Sequence, residues 1–401
     1  MKKTTIILIG LLVASSGFSQ DTTNIKFGKG LYNVIAKDGS FSMKFAIRMQ
    51  SLYMSEWNLN DSTGIGSGQG QFLIRRARLK FGGFAFSPRL KYKVELGLTN
   101  RDISGASSHT KGAPRIILDA VIKWNFYKNF VLWAGQTKLP GNRERVVSSG
   151  NLQFVDRSKL NSNFNIDRDM GAQLRHHFRI GKNFIIREMI AVSQGEGRNV
   201  TDVNLGGYQY TTRVEILPFG KFSSKGDYVC SSVKREEKPK LALGGTYDLN
   251  NSAVKTKSNQ GSYMENDEGY FETDVVTVFG DMMFKYGGFS MMAEYAARTA
   301  AQDSAMNVDG TKTGDIVAVG KGMNFQMGYM LKSNWEVAGR YTLTDWNTNV
   351  TGKEAQTQYT FGISKYFKGH KLKVQTDVSY LTVEKSADNE LMYRLQFDLH
   401  F

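Results

Sequence analysis

Apolar and polar residues alternate with a period of two along most of this chain. From Leu391 to Phe401 every second residue is Leu, Tyr or Phe, and the residues between them are mostly polar. Because successive side chains of a strand point to opposite faces, this segment predicts a strand with one wholly apolar face. A barrel in a bilayer needs such strands, since its outside meets hydrocarbon and its inside meets water.

The same alternation recurs in about sixteen segments, each at least as long as the ~9–11 residues that a tilted membrane strand requires. Clear examples are 41–50, 90–99, 116–126, 289–298, 335–343 and 371–378. A soluble β-sandwich adhesin would also alternate, but with strands of about 5–6 residues. The length of the segments favours an all-β fold, a transmembrane antiparallel β-barrel of about 16 strands.

Short and long connections follow one another along the predicted strands. Tight connections fall at 87–88, 128–129, 181–183, 286–288, 332–334 and 368–370, and long polar ones at 59–70, 101–113, 138–167, 195–205, 250–268, 300–318 and 347–356. Short periplasmic turns and long extracellular loops are typical of outer-membrane barrels. Residues 218–238 are long where a short turn is due, which indicates either a miscounted strand or an elaborated turn.

The N-terminus has the features of a secretory signal peptide. A basic start, Met1-Lys2-Lys3, precedes the apolar run 6–14, which is too short to span a bilayer. Small residues around Phe18 suit cleavage before Gln20. We therefore expect a signal peptide over 1–19, an N-terminal periplasmic segment over 20–40 and a barrel over 41–401 in a bacterial outer membrane, in contact with its lipid.

Composition supports strands and raises the question of where the charge lies. Gly (41), Phe (25) and Tyr (18) are plentiful while Pro (5) is scarce, which favours long strands with aromatic girdles. The single Cys230 excludes an intramolecular disulfide. The net charge is +15. A basic balance often indicates a nucleic-acid partner, but a barrel can instead direct that charge into its lumen.

One predicted strand carries a row of basic residues. Arg76, Arg78 and Lys80 share a face at a spacing of ~7 Å, and Arg75 points the other way by alternation, toward the rim or a subunit contact. Guanidinium forks match phosphate oxygens, and several weak cationic sites in series select anions without trapping them. The set predicted to line the pore or bind anions is Arg48, Arg75, Arg76, Arg78, Lys80, Lys91, Lys93, Asp119 and Lys123. The alternative is an ordinary lumen with paired or hydrated charges.

The long connection 138–167 is a second concentration of charge. A loop of about thirty residues is uncommon and usually functional. Its basic residues are Lys138, Arg143, Arg145, Arg157 and Lys159, and its acids Glu144 and Asp156 can hold the arginines in place. A plain surface loop with solvated charges is the alternative.

Several motifs together resemble the phosphate-selective porin O and P family. They are 75–79, 118–120, 135–140, 154–158 and 168–171, and 218–220 with 226–228 fits the same family and would explain the long turn. The resemblance covers most of the predicted mature chain. It implies a sixteen-stranded homotrimeric barrel, an arginine-lined constriction, a lumenal acid and an inward-folded third extracellular loop, here 138–167. Arg75, Arg76 and Asp119 are the positions that it matches.

Catalysis has little support in the sequence. There is no His-Glu-x-x-His, no phosphate-cradling Gly-Lys-Ser/Thr loop and no Cys cluster, so we expect no enzyme activity, metal or cofactor. His176 and His177 point to opposite faces of a strand and cannot share a metal. We expect passive passage of small inorganic anions, phosphate or its oligomers, and no nucleic-acid partner. The alternatives are a general diffusion porin with weak anion preference, and a surface-exposed binding or adhesion barrel that acts through 250–268 and 300–318.

Overall fold

Sixteen long strands make up most of the computed structural model, which describes residues 27–60, 64–66 and 68–401. In chain order they are β1 Phe41–Asn60, β2 Gln69–Ala85, β3 Ser87–Gly97, β4 Ile117–Tyr127, β5 Phe130–Lys138, β6 Arg168–Ile180, β7 Phe184–Ser193, β8 Gln209–Leu217, β9 Glu236–Ala253, β10 Thr273–Gly287, β11 Phe289–Ala300, β12 Gly320–Met330, β13 Trp335–Trp346, β14 Gln356–Tyr366, β15 Leu372–Val383 and β16 Asp388–His400. The predicted all-β class and strand number are confirmed.

The sheet closes on itself between its first and last long strands. Each strand pairs antiparallel with its sequence neighbours, and β1 pairs with β16 from Arg48 opposite His400 to Asn60 opposite Asp388. Closure leaves these strands without an open edge. Burial follows the predicted alternation on β16, where Phe397 is 59% exposed while Gln396 and Asp398 are each 1% exposed. The apolar face therefore points outward and the polar face into the lumen.

The connections sort into short turns at one end of the barrel and longer loops at the other. The exception, 218–235, lies between β8 and β9, so the strand count is correct and the turn is elaborated. It folds against the barrel interior, because Lys285 Nζ donates to the carbonyls of Val229 at 2.6 Å and Ser231 at 2.7 Å. Phe222 of this turn packs with Val147 and Leu152 in one buried apolar cluster.

Short helices, 3-10 turns and short strands lie in the connections between the long strands. The helices are α1 Asn100–Ile103, α2 Arg143–Val146, α3 Lys159–Phe164 and α4 Thr348–Thr351, with 3-10 turns at Ser108–Thr110, Ser149–Asn151 and Ser223–Tyr228. Short strands lie at Tyr32–Ile35, Gly64–Ile65, Lys255–Lys257, Gln260–Tyr263, Glu265–Asn266, Gly269–Tyr270, Ser304–Met306 and Lys312–Ile316. Among the described residues, no helix has the length and apolar character needed to cross a bilayer.

The N-terminal part of the described chain continues the sheet at the short-turn end. Tyr32–Ile35 pairs with the first residues of β1, and the Phe27 ring meets the ring of the terminal Phe401 at 5.9 Å. The predicted signal peptide, 1–19, lies outside the described residues.

The 138–167 loop lies inside the barrel, not on its outer surface. Arg143 Nε contacts Asp281 of β10 at 2.7 Å, and the amide of Val155 donates to Asp377 of β15 at 3.0 Å. Phe164 and Leu160 pack with Trp346 and Phe279 in a buried cluster on the barrel wall. The loop thus crosses the lumen and contacts the barrel wall at β10 and β15.

Candidate functional site

A bulge in β2 brings two adjacent arginines to the same face. Gln50 pairs with Arg76 while Ser51 pairs with Ile74, so Arg75 is an extra residue in the ladder. The prediction that Arg75 points away from the lumen was wrong, because period-two alternation does not hold across a bulge. Arg75 and Arg76 therefore both point into the lumen.

Asp156 of the 138–167 loop binds both of these arginines. Its carboxylate accepts from Arg75 Nη2 and Arg76 Nη2, each at 2.8 Å, and from Arg75 Nε at 3.1 Å. Burial alone would raise the pKa of Asp156, but Arg75, Arg76 and Arg394 outweigh burial and hold that pKa far below its usual range. The loop is clamped to β2 by an ionised carboxylate.

Arg78 follows Arg76 by two residues on β2, so its side chain points to the same lumenal face. It forms a two-pronged contact with Asp102 of the 98–116 loop, with both nitrogen–oxygen distances at 2.9 Å, and lies 3.3 Å from Glu95 of β3. Lys80 is 3.4 Å from the same Glu95. Three basic side chains of β2, Arg75, Arg76 and Arg78, thus share two loop carboxylates, and we call these three the arginine row.

Asp119 of β4 lies on the barrel wall and contacts two further basic side chains. Its carboxylate contacts Lys93 at 2.7 Å and Arg168 at 3.2 Å, and it accepts a hydrogen bond from Thr137 at 3.0 Å. Asp119 is 1% exposed. It therefore orients two cations of the wall.

The loop supplies cations that bind backbone carbonyls instead of carboxylates. Lys138 Nζ donates to the carbonyl of Arg145 at 2.7 Å, and Arg157 Nη2 donates to that of Val147 at 2.7 Å. Burial lowers the pKa of Arg157 to about 10, which still leaves it charged at neutral pH. These contacts stabilise the loop and leave positive charge uncancelled.

An aromatic ring separates two further cations toward the short-turn end. Lys123 Nζ lies 3.5 Å and the Arg175 guanidinium 3.8 Å from the centre of the Trp133 ring. The negative faces of an indole attract cations, so Trp133 holds both in place without neutralising either.

These side chains surround one cavity of about 760 Å³, the basic cavity. Its lining contains sixteen Lys and Arg side chains and six Asp and Glu side chains, a formal excess of ten positive charges. Water in such a site screens the charges only in part, so the field favours anions.

Most residues of the predicted set meet at this cavity. Those that line it are Arg75, Arg76, Arg78, Lys80, Lys93, Asp119, Lys123, Lys138, Arg145, Arg157 and Lys159. Arg48 instead pairs with Asp398 at 2.8 Å in the barrel wall, and Arg143 is fully buried as a loop anchor. Lys91 lies in a separate groove at the short-turn end. The structure does not bring these three into the lining.

Six basic residues of the lining were not in the predicted set. They are Arg101, Arg168, Arg175, Arg198, Arg340 and Arg394. Arg340 and Arg394 lie on the inward face of β13 and β16, where alternation signals their direction but not their distance from β2. In the part of the chain that the structure describes, no group of three or more His, Cys, Asp or Glu side chains could hold a metal ion.

A closed sixteen-stranded barrel with a charged lumen and a loop folded inside it defines an outer-membrane porin. The chain belongs to the phosphate-selective porin O and P family, whose model matches residues 55–399. A curated relative from Aquifex aeolicus (strain VF5), described as an uncharacterized protein, is 25% identical over 358 residues, 82% of this chain and 80% of the relative.

Solved structures share the fold at low sequence identity. The anion-selective porin from Comamonas acidovorans superposes with a TM-score of 0.52 at 10% identity, over 90% of this chain and 100% of that one. The outer membrane channel DcaP of Acinetobacter baumannii gives 0.52 at 11%, over 92% and 100%. Salmonella typhi OmpF in complex with daunomycin gives 0.53 at 9%, over 92% and 100%.

Proposed function

We propose that this porin passes small inorganic anions by passive diffusion through the basic cavity, with phosphate or its oligomers preferred. The observation that carries the proposal is the lining of the basic cavity, where positive side chains exceed negative ones by ten formal charges. The family supports it, and one structural neighbour is itself an anion-selective porin.

The mechanism follows from a series of moderate cationic sites. The field of the cavity raises the local anion concentration, and guanidinium groups replace part of the hydration shell. The 138–167 loop narrows the lumen so that an anion passes between loop cations, such as Arg157, and wall cations, such as Lys80 and Lys93. Each cationic site binds the passing anion weakly, because most of the Lys and Arg side chains that line the cavity already contact a carboxylate or a backbone carbonyl.

Removing wall charge tests anion selectivity. Changing Arg76, Arg78 and Lys80 together to Gln should lower the chloride-to-potassium permeability ratio several-fold, because three charges leave the cavity. Reversal potentials under a KCl gradient across planar bilayers give the ratio. The matched control changes Lys182, Lys332 and Lys368, exposed at short turns outside the cavity, to Gln. Equal reversal potentials for wild type, triple variant and control would contradict the proposal.

Phosphate preference requires a separate measurement. If phosphate is favoured over chloride, millimolar inorganic phosphate should reduce the chloride current of the wild-type channel. A current that phosphate leaves unchanged would favour a general diffusion porin with weak anion preference.

A cleaved signal peptide over 1–19, a periplasmic segment over 20–40 and a homotrimer complete the proposal. The motifs at the N-terminus and the family resemblance support them. The mass of the mature chain tests signal-peptide cleavage, and the mass of the native oligomer in detergent tests the homotrimer. An uncleaved monomer would count against both.

A further inference from the structure

The arginine row is already occupied by carboxylates of the protein itself. Asp102 binds Arg78 and Asp156 binds Arg75 and Arg76, both with charge-assisted contacts of 2.8–3.1 Å. Neither acid belongs to the barrel wall, since Asp102 lies in the 98–116 loop and Asp156 in the 138–167 loop. Two separate loops therefore cancel charge on one strand.

Asp102 is held in place from a third loop. Its amide donates to the carbonyl of Thr99 at 2.8 Å, and its own carbonyl accepts from Arg198 Nη2 at 2.5 Å. Arg198 also donates to the carbonyl of Arg115 at 3.2 Å, so it fastens both ends of the 98–116 loop. Asp102 is buried, with 8% of the residue exposed, and its carboxylate contacts Arg78.

Asp156 is held from the opposite wall. The amide of the preceding Val155 donates to Asp377 of β15 at 3.0 Å, and Arg340 of β13 donates to the Asp156 carbonyl at 2.9 Å. The backbone is thus fixed on β13 and β15 while the carboxylate reaches across to β2. This arrangement presents a carboxylate to Arg75 and Arg76 with the charge-assisted contacts that arginine also offers to small oxyanions.

We infer that Asp102 and Asp156 are specificity-determining residues that lower the affinity of the arginine row for anions. A two-pronged guanidinium–carboxylate contact has the geometry with which arginine binds small oxyanions, so each loop acid competes directly with the solute. Flux needs sites that release as readily as they bind. The inference rests on the proposed anion passage and deepens it.

The experiment removes each competing carboxylate without changing side-chain size. Asp102→Asn and Asp156→Asn should each raise the chloride-to-potassium permeability ratio, and each should lower the phosphate concentration that half-inhibits the chloride current by about tenfold, or ~1.4 kcal/mol. Asp309→Asn is the matched control, since Asp309 is exposed on the 301–319 loop and the change in net charge is identical. The control should match wild type.

Folding and function are checked independently. Asp102→Glu and Asp156→Glu keep the charge and should retain wild-type selectivity, while heat-modifiable electrophoretic mobility reports whether every variant forms a barrel. A wild type without anion preference would overturn the proposed function. An anion-selective wild type whose folded Asn variants match it in permeability ratio and phosphate inhibition would overturn this inference alone.

Discussion

At the scale of single residues, the charged state of the pore depends on pairing. Asp156 is ionised because two guanidinium groups bind it, even though burial opposes its charge. The same pattern holds at Asp102, where burial raises the pKa but the hydrogen bonds and charge of Arg78 lower it below its usual value. The buried charges of Asp156 and Asp102 are tolerated because each carboxylate has an arginine partner within hydrogen-bond distance.

The pKa shifts of two loop residues, Asp156 and Arg157, predict how each contributes to the pH dependence of selectivity. Asp156 has a lowered pKa, so it is charged throughout the range above its ordinary value of about 4 and loses its clamp on β2 only in stronger acid. The pKa of Arg157 is lowered to about 10, so its charge is lost as pH rises past that point. The anion preference measured from reversal potentials should therefore be weaker at about pH 11 than at about pH 9, because Arg157 becomes neutral past about pH 10. An equal preference at the two pH values would contradict this assignment.

At the scale of elements, buried ion pairs hold the 138–167 loop in a fixed position inside the lumen. Arg143 lies in a buried network in which its Nε contacts Asp281 at 2.7 Å and its Nη2 lies 3.5 Å from Glu215. Arg213 contacts the same two carboxylates at 2.6 and 2.8 Å. The network joins α2 of the loop to β8 and β10, so the loop is held at a fixed height in the barrel.

Removing the loop anchor should loosen the loop. Arg143→Met deletes one charge of a buried network and leaves its partners undercompensated, which costs about 3–5 kcal/mol. Protease cleavage within 139–167 should become faster, and the midpoint of urea unfolding in lipid should fall. Lys159→Met, on the same loop but at the cavity surface, serves as the control and should leave both measurements near wild type. Equal cleavage rates for the two variants would show that Arg143 is not an anchor.

At the scale of the whole molecule, positive charge is concentrated around the basic cavity. The chain carries a net charge of +15, and the lining of one cavity accounts for a formal excess of ten. The outward face of β16 is apolar while its inward neighbours are buried and polar. The same alternating pattern therefore supplies both the apolar surface that faces the bilayer and the polar surface that lines the pathway.

A field of this kind predicts salt-dependent selectivity. The Debye length shortens from about 10 Å at 0.1 M to about 3 Å at 1 M, so added salt screens wall charges that do not touch the ion. At a constant salt gradient, the chloride-to-potassium permeability ratio should fall several-fold over this range. A ratio independent of ionic strength would mean that direct contacts between the ion and the lining, not the field of the cavity, set selectivity.

Local patterns were sufficient for the strands but not for the site. Alternation and turn spacing predicted the number of long strands and the inward direction of Arg76, Arg78 and Lys80. The bulge at Arg75 was missed, because it is a property of the pairing between β1 and β2 and cannot be recognised from the alternation within β2 alone. The side chains of Arg340 and Arg394 were visible as polar positions. The contact of Arg340 with the Asp156 carbonyl, and the place of Arg394 in the same cavity lining, depend on how far each strand lies around the barrel.

The sequence by itself determined a closed amphipathic barrel, because each strand's two faces must match hydrocarbon and water residue by residue. Only the tertiary structure decided which charges share the lumen and which cancel. Arg48 and Arg143 became wall and loop anchors, while Asp102 and Asp156 came to lie on the arginine row. Those outcomes depend on contacts between residues far apart in the chain, where distance and burial, not local periodicity, set the electrostatic energy.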